Sequence, residues 1–236
     1  MLIRYEFDLE QWQVSELFYP IRTKSDVIKI LMQSTLIMLI NKPSVKRSEL
    51  KSRIILYIND EVKISRLLFF SEQKYFSIHF PFEVDNSDDN INFSINYETS
   101  FDKEAEVRIN ITNTVISDIM SIISQDIFIL AEIKNPIFQL ADLIYSDEIM
   151  SDYNFIDFLL TKLIFLEDGY IRYDHDKKNY KPEKPQQHPI NHLDIFYSEN
   201  ATFKIGLSKK ISHDEMINLL NLEEDCYFLN LQKNKA

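Results

Sequence analysis

The feature that most restricts this chain is a double change of hydrophobic period. Apolar residues alternate in steps of two over residues 52–111, recur at helical spacing over 112–169, and alternate again over 170–207. A period of two puts successive side chains on opposite faces of a strand, whereas three-to-four spacing builds one apolar helical stripe. Blocks of strands and helices kept apart in this way predict an α+β protein. The expected architecture is mostly antiparallel sheet with a central group of apolar helices. One domain over 1–236 is the expectation, with a boundary near residue 112 as the alternative.

The punctuation is consistent with this. Thr23 or Ser25 can cap a helix over 23–41, where Val27, Ile28, Ile30, Leu31 and Met38 are apolar and Asn41-Lys42-Pro43 is the stop. "RIILYIND" and "EVKISRLLFF" read as a hairpin around Asn59-Asp60-Glu61. "QKYFSIHFPFEV" reads as one further strand, followed by "INFSINYET" and "AEVRINIT". Thr112 or Asn113 caps the next helix, and Asn135-Pro136 opens another with proline at its first position. A third covers "SDYNFIDFLLTKLIFLEDG", and Ser212 with Glu215 forms a capping box for a short last helix. Ile119, Ile122, Ile123, Phe128, Ile129, Phe155, Phe158, Leu159 and Leu163 make the central helices core, or core plus a subunit interface.

Composition removes several function classes. The only glycines are Gly169 and Gly206, so neither a Walker loop nor a Rossmann fingerprint can be built. The formal net charge is -11, which on average repels nucleic acid and anionic lipid. Cys226 is the sole cysteine, so an internal disulfide and a cysteine metal cluster are both excluded. "VIKILMQSTLIMLI" is too short and too polar to span a bilayer. A cytoplasmic location, without membrane, is expected.

The chemistry-bearing residues gather near the C-terminal end, in "YIRYDHD", a Lys/Pro-rich loop, and "QQHPINHLDIFYSENATFKIGL". The last stretch reads as a hairpin with Glu199-Asn200 as its connection, and "YIRYDHD" is expected to pair beside it. Leu193, Ile195 and Tyr197 would face one way, and His192 and Asp194 the other. This pairing would bring Asp174 and His175 towards His188 and His192. His175, His188, His192, Asp194, Lys177, Lys178 and Tyr180 then form a candidate binding surface, expected to present its imidazoles outward. The same region offers a candidate divalent-metal set, namely His175, His188, His192, Asp174 and Asp194, with Asp176 nearby. A metal there could activate water for hydrolysis. Against it, His188 precedes Pro189, which disfavours helical backbone, so the two histidines are not the same-face pair of a zincin. A turn whose histidines bond the main chain around a strand entry explains the motif equally well, and the expectation without a cofactor stands first. A second feature is the basic run Lys42, Lys46, Arg47, Lys51 and Arg53, which could hold a phosphate backbone, dock an acidic partner, or simply be a solvated face.

Arg172, Tyr173, Asp174, Asp176, His188, Pro189, His192 and Leu193, with the strand that follows, resemble an uncharacterised bacterial family, the domain of unknown function numbered twenty-two-ninety. The likeness covers the last third to half of the chain. It implies no established activity, and it implies a setting among anti-phage defence and mobile-element genes. The leading expectation is therefore an accessory or recognition subunit that binds a protein encoded nearby, or nucleic acid. A metal-dependent hydrolase or nuclease and an oligomerising structural module are the alternatives.

Overall fold

A computed structural model describes residues 2–44, 52–85, 91–98, 106–125, 150–185, 189–195, 203–221 and 223–225. The fold is α+β with antiparallel sheets. The chain begins with β1 (Leu2–Asp8), α1 (Gln11–Leu17) and α2 (Lys24–Ile40). Strands β2 (Arg53–Asn59), β3 (Ile64–Phe70), β4 (Lys74–His79), β5 (Glu83–Asp85), β6 (Asn92–Glu98) and β7 (Glu106–Asn110) follow. Next come α3 (Asn113–Ile123) and α4 (Tyr153–Phe165), then β8 (Ile171–His175), β9 (Asn191–Ile195), β10 (Phe203–Leu207) and α5 (His213–Asn218).

Seven strands form the main sheet in the order β1-β2-β3-β4-β8-β9-β10, and β5-β6-β7 form a smaller one. Strands from the two ends of the sequence therefore meet at the β4–β8 pair, where Lys74 lies opposite Asp174 and Phe76 opposite Arg172. Alternation sorts the main sheet into two faces. Ile54, Leu56, Leu67, Phe69, Phe76 and Ile78 look towards α2, α3 and α4 in a core that also takes Phe93, Ile95 and Ile111 and so runs across residue 112. Ile55, Leu68, Phe70, Tyr75, Ile171, Tyr173 and Leu193 look the other way, under Met216 and Ile217 of α5.

Local signals act as read in several places. The Thr23 side chain caps α2, Thr112 caps α3, and Ser212 with Glu215 closes a capping box on α5. The reading of one strand through "QKYFSIHFPFEV" is corrected. β4 stops at His79, and Glu83 opens β5 in the second sheet. Pro81 lies in the gap; it has no N–H to give a ladder, so the run breaks there. The expectations at Asn135-Pro136, Phe128, Ile129, Tyr197, Glu199-Asn200 and Cys226 lie outside the described residues. Among the described residues, no helix is long and apolar enough to cross a membrane.

Gly169 sits just ahead of β8 with φ at +54°. Its carbonyl accepts from Arg66 Nη2, and a Cβ there would lie 3.0 Å from Arg66 Nη1. Gly169→Ala is expected to lower the unfolding free energy by about 1–2 kcal/mol, the left-handed penalty for a residue with a side chain. Urea unfolding checks this: the midpoint falls at constant slope, and an unchanged midpoint contradicts it.

Candidate functional site

The register of β4, β8, β9 and β10 sets polar residues in two transverse rows on the face that elsewhere carries the main core. In the first row Lys74, Asp174, His192 and Gly206 lie opposite one another in turn, and in the second Phe76, Arg172, Asp194 and Lys204 do. Each row places a carboxylate between basic side chains. Opposite-charge neighbours across a ladder are worth about 0.2–1 kcal/mol each, and more when buried and hydrogen-bonded. Asp194 and His192 are buried, at 1% and 3% exposure, Lys74, Arg172 and Asp174 are half-buried, and Lys204 is exposed.

Arg172 ties the rows together. Its Nε is 2.8 Å from Asp174 Oδ2, and its Nη2 donates to Asp194 Oδ2. His192 Nδ1 donates to the Pro189 carbonyl at 3.0 Å. Its Nε2 faces Asp174 Oδ2 at 3.6 Å and Asp194 Oδ2 at 3.9 Å. Asp194 Oδ1 is buried without a hydrogen-bond partner, and Lys204 Nζ lies 3.9 Å from it. Gly206 has a steric role in this arrangement, since a Cβ there would come within 3.1 Å of the Pro189 ring.

The titration behaviour follows from these contacts. Burial alone would lower the His192 pKa, but the facing Asp174 carboxylate and the Pro189 carbonyl outweigh it and hold it above the ordinary value. Burial would raise Asp174, but His192, Arg172 and Lys74 hold it below the usual carboxylate range. Lys74 is pulled down by burial and by the neighbouring Arg172 charge, against the opposing pull of Asp174.

Beside the network lies a cleft of about 430 Å³, between the Phe18–Arg22 linker and the ends of β4 and β8. Lys74, Arg172, Asp174, Asp176 and Asn179 line it. Lys74 Nζ donates to the Phe18 carbonyl at 3.0 Å, which fixes the ammonium at the wall.

The predicted residues divide. Pairing of β8 with β9 brings Asp174, His192 and Asp194 together, and their ligand-capable atoms lie within 4.8 Å of one another. His175 does not join them: its Nδ1 donates to Asn191 Oδ1 at 2.7 Å, the oxygen that also accepts from Tyr173. Being one residue from Asp174 on a strand, it falls on the other face. His188 lies outside the described residues. The outward-facing reading of His192 and Asp194 is corrected, because both pack inward. Lys177 and Lys178 are exposed and Tyr180 is half-buried on the following loop. Two residues of the basic run are described. Lys42 is exposed, but Arg53 is inside β2, 3.4 Å from Glu6 and with Nη2 2.6 Å from His213 Nδ1. Lys46, Arg47 and Lys51 lie outside the described residues. Lys74 was missed, because its strand gave no hint that it would pair with β8.

In comparisons with known proteins, no family model, no curated protein and no solved structure matches the chain.

The two shifts set a pH window. His192, raised when folded, contributes stability that is complete below its ordinary value of 6.5 and is lost as pH rises through the raised folded value. Asp174, lowered when folded, contributes stability that is present above 3.8 and lost as pH falls through the depressed value. Wild-type protein is therefore expected to lose stability as pH rises above 6.5, and His192→Gln to lose less over that span. Urea unfolding across the window decides; identical pH slopes for the two proteins contradict it.

Proposed function

We propose that this chain is a non-catalytic recognition module whose working surface is the cleft at the ends of β4 and β8, with the ion network as its rigid floor. One observation carries the reading. Tetrahedral zinc with bonds of about 2.0–2.1 Å holds its ligand atoms about 3.3–3.5 Å apart. The spacings of 3.6 and 3.9 Å from His192 Nε2 to the two Oδ2 atoms come close to that. Yet those same two Oδ2 atoms are the ones Arg172 binds. A guanidinium already occupies the cation's place, with Lys74 and Lys204 nearby to oppose a divalent ion. The guanidinium pairs and orients both carboxylates without a metal.

A module of this kind binds through the groups it leaves at the cleft wall. The resemblance read in the sequence supports an accessory subunit of a bacterial anti-phage defence system, with a protein encoded nearby, or nucleic acid, as its partner, and a cytoplasmic location goes with that reading. The metal-dependent hydrolase keeps one point in its favour, the convergence of Asp174, His192 and Asp194. Zinc titration by calorimetry separates the two. Wild-type protein is expected to show no stoichiometric site, and Arg172→Met to gain affinity because the carboxylates lose their guanidinium. Protein that carries one zinc per chain, removed by Asp194→Asn or His192→Ala, favours the hydrolase instead. Size-exclusion of the chain alone and with the product of the adjacent gene tests the partner and tells it from self-association.

A further inference from the structure

We infer that the cleft is a phosphate site, taking the phosphomonoester of a small ligand or of a nucleic-acid end against Lys74, Arg172 and Arg22. The inference rests on the recognition reading above and names the chemistry recognised. Three cationic side chains reach the cleft from three separate parts of the chain: the linker before α2, the start of β4, and β8. Side chains from such different directions suit a tetrahedral anion, which accepts on several sides, better than a planar carboxylate, which one arginine fork can satisfy.

The local charge runs against that of the whole molecule. Arg22, Lys74 and Arg172 line the cleft against Asp174 and Asp176, in a chain whose net charge is -11. Of the carboxylates lining the cleft, Asp174 is paired with a cation and Asp176 is hydrogen-bonded by neutral groups. Asp174 is 2.8 Å from Arg172 Nε, and Asp176 accepts from the Asn179 amide at 3.0 Å and from its side chain at 2.8 Å. Arg172 disfavours the charge on Lys74, and a bound anion relieves that repulsion.

Size and overall charge choose the kind of ligand. About 430 Å³ suits a small molecule or a single terminal group. The acidic remainder of the surface repels a long polyanion lying across it. A phosphomonoester satisfies both conditions.

The test uses the full chain and inorganic phosphate, read by thermal shift and calorimetry against chloride at equal ionic strength. Phosphate is expected to raise the melting temperature above the chloride control. Lys74→Met and Arg22→Ala are each expected to weaken phosphate by about tenfold or more, the loss of one charged contact, and Lys74→Arg to retain it. Arg22 is exposed, so its variant reports on binding even if the Lys74 variant folds poorly. A nucleoside monophosphate and a 5′-phosphorylated oligonucleotide, each against its unphosphorylated form, then tell the two sources apart. Equal shifts in phosphate and chloride, or phosphate binding that neither variant changes, overturn the inference. Lys74-dependent binding of polyglutamate without phosphate binding overturns it too, yet leaves the recognition module standing. Capture of the adjacent gene product that is untouched by Lys74→Met and Arg22→Ala moves recognition to another surface and removes both.

Discussion

Two carboxylates inside a sheet must find cations, and the C-terminal half of this fold is arranged around that requirement. An ionised carboxylate removed from water is costly unless it is paired and hydrogen-bonded. Asp174 and Asp194 lie on adjacent strands on the face that elsewhere packs against helices. Arg172 bridges them, His192 faces both, and Lys74 and Lys204 flank them from the neighbouring strands. None of these pairings survives a one-residue slip of register, since a slip moves each charge to the opposite face. The network thus fixes how β4, β8, β9 and β10 align, and that alignment creates the cleft.

The division of the sheet explains why this end is polar. Along β2 and β3 both faces are apolar, with α2, α3 and α4 over one and the α5 cluster over the other. On β8 and β9 the second face keeps that pattern with Ile171, Tyr173 and Leu193, whereas the first exchanges it for Arg172, Asp174, His192 and Asp194. Beyond the helices the inner face has the Phe18–Arg22 linker near it instead. The change from apolar to charged residues at fixed parity marks where helix packing gives way to the ion network beside the cleft.

Much of this was legible in the residues. The helix caps at Thr23, Thr112 and Ser212 are local, formed by a side chain and an amide three residues on, so reading them needs no tertiary knowledge. Pairing of "YIRYDHD" with "HLDIF" was legible too, because both runs alternate and a Pro-rich loop joins them. The outward direction assigned to His192 was not. Alternation says that His192 and Asp194 share a face, but it leaves open which face is covered. The place of Lys74 was out of reach for another reason. Among the described residues, two helices and a second sheet separate β4 from β8, and nothing local specifies a long-range partner. β1 went unread although Ile3, Tyr5 and Phe7 alternate in "LIRYEFD".

The central claim is that Asp194 is held by a guanidinium and that the two act as one unit. A double-mutant cycle on Arg172→Met and Asp194→Asn, followed by urea unfolding, tests it most directly. Each single variant is expected to lose several kcal/mol, about 3–5 for a broken buried pair, and the double variant clearly less than the sum, with a coupling of about 1–3 kcal/mol. Losses that add to within about 0.5 kcal/mol would show two independent residues and contradict the network on which the cleft is built.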